Sequence, residues 1–345
     1  MTDVVAVILW IGVTFYAVFG GADFGAGFWD LVAGGSERGR RPRALIDAAL
    51  APVWEANHVW LIFSLVVLWT SFTDAFSSLM STLFVPLTVA AFGIVLRGSG
   101  FAFLHVSTRL GARRAYGAVF AVSSLVTPFF LGAVAGGIAS GRVPVGNARG
   151  DLVSSWVNPT SILGGVLAVV TCAYLAATFL VAEARRRQDA DLERYFRVRA
   201  IGAGAVAGAV ALAGIAILDS DSPHLFNRLT HQALPLVVLS ALCGVSALVA
   251  LVRRTPSVAR VLAVGAVATV VGGWGVAQYP HLLGTHLTLD AASAPDATLT
   301  AVLAVFGVAV LTCLPALVLL YVLDQRGRLG PTANPPSGAP QRPKQ

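Results

Sequence analysis

Four side chains in this sequence could hold or move a proton inside surroundings that are otherwise apolar: Asp23, Glu55, His58 and Arg97. In "PVWEANHVWLI", residues 52–62, Glu55 and His58 stand three positions apart, with the amide of Asn57 between them. On a helix that spacing makes the two titratable groups neighbours. Asp23 lies within "GGADFGAG", and Arg97 within "VLRGSGFAF". Charge placed at the centre of a bilayer costs a few kcal/mol, so such groups face a protein interior or a water-filled path. Two chemistries fit them. One is a chain of proton carriers a few ångströms apart, bridged by water and Asn57; the other is a set of buried ion pairs locking helices together, with Arg97 as counter-charge to Asp23 or Glu55.

The elements that must position these groups are membrane helices. The 345 residues are 56% hydrophobic and only 12% charged, with a mean hydropathy of +0.77, whereas about a quarter of a soluble domain is charged. About nine apolar runs approach the roughly 20 residues a spanning helix needs, near 4–30, 50–70, 76–104, 116–138, 161–182, 199–218, 234–252, 260–279 and 300–322. The first run has no basic flank before it and no small-residue cleavage site, so it reads as a retained helix. A formal charge of +7 raises the question of nucleic acid. The arginines answer it by clustering after the first, third, fifth, seventh and ninth runs, while the alternate connections hold only Arg142, Arg149 and Arg228. That pattern expects an N-terminus outside and a cytoplasmic C-terminus, with no nucleic-acid partner.

The expected fold is an all-α integral membrane protein of about nine transmembrane helices, arranged as two four-helix bundles plus one peripheral helix. Residues 1–183 form the first bundle and 184–323 the second with the peripheral helix, divided at the arginine-rich "EARRRQDADLERYFRVR". The tail, 324–345, is rich in proline and polar residues and is assigned no structure. Ionisable groups at membrane depth gather in the first half, with His105 near a cytoplasmic end; the second half offers Trp274, Gln278 and Tyr279. Cys172, Cys243 and Cys313 lie in apolar runs without CxxC spacing, so neither a disulfide nor a metal site is expected. Of the six histidines only His58 lies well inside a run, which does not make a bis-histidine haem site. Gly-rich helices carrying midplane carboxylates also occur in proton-coupled secondary transporters. That is the alternative function.

"GGADFGAGFWDL", followed by "VWEANHVWLI", "VLRGSGFAF", "NPTSILGG" and "WGVAQYP", resembles subunit II of the cytochrome bd quinol oxidases over all but the tail. The resemblance implies a heterodimeric terminal oxidase of the bacterial cell membrane, in which quinol electrons reduce oxygen to water using cytoplasmic protons. It implies that haem b and haem d reside in the partner, subunit I, that this chain ligates no metal, and that lipid and quinol are further partners. It leaves room for a structural quinone and a small accessory subunit. Glu55 matches the family's acidic position on a proton pathway, Asp23 the first-helix aspartate and Arg97 the third-helix arginine. Asn57 belongs to the same string, and His58 departs from the glutamine or glutamate often found there. Trp54 and Trp60 match flanking tryptophans that could pack near a haem edge or a quinone tail.

Overall fold

The computed structural model describes residues 1–35, 37–50 and 54–325. Pro52 and the tail beyond residue 325 lie outside the described residues, as do the side chains of Trp54, Glu55 and His105. The first span is α1 (Thr2–Phe15), a five-residue π turn (Tyr16–Gly20) and α2 (Gly21–Leu31). There follow α3 (Arg40–Leu50), α4 (Trp54–Ser71), α5 (Thr73–Thr82), α6 (Phe84–Val106), α7 (Leu110–Ala139), α8 (Pro159–Arg186) and α9 (Ala190–Asp221). The remainder is α10 (Pro223–His231), α11 (Leu234–Val252), α12 (Pro256–Gln278), a small hairpin of β1 (His281–Leu283) and β2 (Leu287–Thr288), α13 (Leu289–Ala292) and α14 (Asp296–Gln325). Among the described residues eight spans are long and apolar enough to cross a membrane, and nine if the bent α4–α5 pair counts as one.

Hydropathy misplaces one boundary. The run expected over 76–104 is broken at Leu83, and its first part belongs to α5, which folds back at 119° from α4. An average over side chains carries no information about chain direction, so a turned helix and a straight one score alike. Short polar helices also occupy stretches the sequence shows only as connections: α3 in the first basic loop and α10 in the 219–233 segment.

Helix α8 is the hub, packing against α2, α7, α9 and α12. Its start is set by Asn158, whose side chain accepts from the Ser161 amide at 2.9 Å, with Pro159 in the first turn where no amide is needed. Along its length small residues, including Gly164, Ala173, Ala176 and Ala177, allow backbones to approach. In lipid, where apolar surface gains nothing by leaving the solvent, that close packing is what holds helices together. Trp29 of α2 donates to the Ala173 carbonyl at 2.8 Å, and a Cβ on Gly25 would overlap the Cys172 carbonyl oxygen. Because that neighbour is backbone, Gly25→Ala should push α2 from α8 and cost about 1–3 kcal/mol, as overpacking does. The check is a lowered midpoint of thermal inactivation of the detergent-solubilised complex.

Among the described residues, with the bent α4–α5 pair counted as one, five spans begin before residue 184 and four after it. The largest core cluster crosses that point, joining Val18, Ala26 and Leu175 to Phe196, Leu251 and Ala263. The basic connections meet at one end of the bundle: Arg41 pairs with Asp189 at 2.9 Å, and Arg185 donates to the Arg254 carbonyl. Asp189 caps α9, and the Leu192 amide, then Arg41, hold its carboxyl below the usual range. At the opposite end Arg142 pairs with Asp221 at 2.7 Å, and Asp221 also accepts from the Thr160 hydroxyl at 2.6 Å.

Candidate functional site

Asp23 sits in the first turn of α2, where the surrounding glycines clear space for α7 and α8. Arg97 reaches it from the middle of α6. Both ends of the guanidinium are used: Nη1 donates to Oδ2 and Nη2 to Oδ1, each at 2.8 Å. Nη2 also reaches the Asp23 carbonyl at 3.1 Å, and Nε donates to the Ser124 hydroxyl of α7 at 3.0 Å. The side chains are 2% and 1% exposed. The Phe24 and Phe120 rings lie 5.0 and 4.9 Å from the guanidinium carbon, so the cation contacts apolar faces as well as its polar partners. A forked guanidinium fits a carboxylate in a way an ammonium does not. Here it ties three helices together.

The other expected residues gather on the α4 side. Asn57 is buried, and the His58 ring is 6.0 Å from Phe24 and 6.1 Å from Tyr16. His58 Nδ1 is buried without a hydrogen-bond partner among the described residues. Trp60 packs edge-on against Phe15 at 4.6 Å. The structure therefore brings Asp23, Arg97 and His58 around one aromatic group and pairs Arg97 with Asp23. In the second half Trp274 packs tilted against Trp10, ring centroids 5.0 Å apart, and Gln278 is buried.

Sequence reasoning missed Ser124, Phe120 and Tyr16. Nothing in the run around Ser123 and Ser124 marks one hydroxyl as a ligand of an arginine on the preceding helix. Tyr16, seven residues before Asp23, carried a signal that periodicity could have used, but the π turn between them alters the angular step.

No group of three or more His, Cys, Asp or Glu side chains among the described residues is placed to hold a metal ion.

Residues 1–324 match the family model described as cytochrome bd terminal oxidase subunit II. The chain is 26% identical over 321 residues to the cytochrome bd ubiquinol oxidase subunit 2 of Bacillus subtilis (strain 168), covering 90% of each chain. The solved bd oxidase from Geobacillus thermodenitrificans is similar with a TM-score of 0.76 and 26% identity, over 94% of this chain and 98% of that one.

Proposed function

This chain belongs to the cytochrome bd terminal oxidase subunit II family and is a multi-pass subunit of a bacterial plasma-membrane quinol oxidase; within that complex, we propose, it carries protons from its basic end toward the oxygen-reducing site. The family places the haems of the complex in the partner subunit I, and the transporter reading is not favoured.

One observation carries the proposal: buried Asn57, the buried Nδ1 of half-buried His58 and the buried Asp23–Arg97 pair place polar groups inside an apolar bundle. Buried polar atoms without partners are rare and mark strain, function or bound water. In this reading Glu55 and His58 take and pass the proton, and Asn57 orients water between them. Asp23 and Arg97 play a fixed role. Both carboxylate oxygens are occupied by guanidinium N–H groups, so the pair sets the field and geometry of the path without exchanging partners. Trp54 and Trp60 are assigned the contact with the partner's haem edge or a quinone tail, and a structural quinone and a small accessory subunit are compatible additions.

His58→Ala separates carrier from haem ligand. The haem absorption bands and the haem-to-protein ratio of the purified complex should stay near wild type while quinol-oxidase turnover falls. Loss of one whole haem would make His58 a ligand and overturn the assignment.

A further inference from the structure

Tyr16 opens the π turn that precedes "GADFG". Turns of this kind insert a residue into a helix and redirect the side chains that follow. Its ring lies along Gly20, where an added Cβ would stand 2.9 Å from Cε2. The ring meets Phe24 edge-on at 6.4 Å and lies 6.1 Å from His58, which itself meets Phe24 edge-on at 6.0 Å. Three rings thus form a triangle beside the Asp23–Arg97 pair, and the charges of both ion-pair partners act on Tyr16 and His58 alike.

Two polar atoms belong to this triangle, the Tyr16 hydroxyl and His58 Nδ1, and both are buried without a partner among the described residues. Leaving either unsatisfied costs about 1–3 kcal/mol. Phenylalanine would fill the same ring space at no such cost. A hydroxyl kept here under that penalty needs a bound partner, and a water with two polar neighbours is the smallest that serves both atoms.

We propose that Tyr16 is a positioning residue for proton delivery: its hydroxyl and His58 Nδ1 share one water, which fixes the orientation and tautomer of the imidazole. The water donates to Nδ1, so the ring proton sits on Nε2 and that nitrogen faces the path; Tyr16 keeps its own proton throughout. This rests on the reading that protons pass through this chain.

The test is Tyr16→Phe in the complete purified oxidase, measured beside Glu55→Gln and His58→Ala. Tyr16→Phe should lower kcat about fivefold, leave the quinol KM and haem bands unchanged, and enlarge the solvent deuterium isotope effect. Combined with His58→Ala it should be no slower than His58→Ala alone, because residues acting through one water do not contribute independently. Wild-type kcat and isotope effect in Tyr16→Phe, with Glu55→Gln slow, would sink the Tyr16 assignment and leave proton carriage standing. Wild-type speed in both would sink the two together. A slow Tyr16→Phe beside a normal Glu55→Gln would keep Tyr16 and overturn the role of Glu55. Loss of haem or of assembly in Tyr16→Phe would make the hydroxyl a structural group and overturn the proposal.

Discussion

Arg97→Met is expected to abolish accumulation of the assembled oxidase. The substitution keeps much of the side chain's bulk but leaves the Asp23 carboxylate, 1% exposed, without its two 2.8 Å donors. Breaking a buried pair by removing one partner costs about 3–5 kcal/mol, which corresponds to roughly a hundredfold to several thousandfold in the folded ratio. The Ser124 hydroxyl and the Asp23 carbonyl lose their donors in the same step. Arg97→Lys should rescue little, since one ammonium cannot meet both carboxylate oxygens and Ser124 together. Removing both charges, with Asp23→Leu and Arg97→Met together, should restore much of the assembly, because a well-packed apolar pair can replace a buried ion pair at little cost. The measurement is haem content per milligram of membrane protein with the subunits quantified by immunoblot. Normal haem content in Arg97→Met would show that the pair does not hold these helices.

Glu55→Gln has the opposite signature. Glutamine keeps the shape and most of the hydrogen-bonding capacity of the acid and removes its titratable proton. The complex should assemble with its haem spectrum intact while quinol-oxidase turnover drops by at least about tenfold, or roughly 1.4 kcal/mol on the rate-limiting barrier. Glu55→Asp, which retains a proton carrier, should keep far more activity. Turnover of the Gln variant equal to wild type across the pH range would show that Glu55 is not an obligatory carrier.

The α4 string was legible because its information is local. Glu55, Asn57 and His58 fall within one turn of helix, so residue spacing alone places them together, and the apolar run that follows fixes the helix. The sequence also showed that the charged groups belong to the first half, because charge inside an apolar run is visible wherever the run is. What it left open was the counter-charge. Arg97 is as accessible in sequence to Glu55 as to Asp23, and it bonds Asp23 across 74 residues.

The chain by itself determined that this is a membrane protein of about nine spans, which loops are basic, and which few ionisable residues lie inside apolar runs. Hydropathy, loop charge and helical spacing are properties of neighbouring residues and survive without a fold. The tertiary structure decided the rest: α5 turns back at 119°, the π turn sets the Tyr16 ring beside His58, and Ser124 closes the third side of the Arg97 site. Each of these depends on where separate helices meet. That is set by the close approach of small residues such as Gly25 and Gly164 to facing backbones, a short-range packing condition that no single segment can satisfy alone.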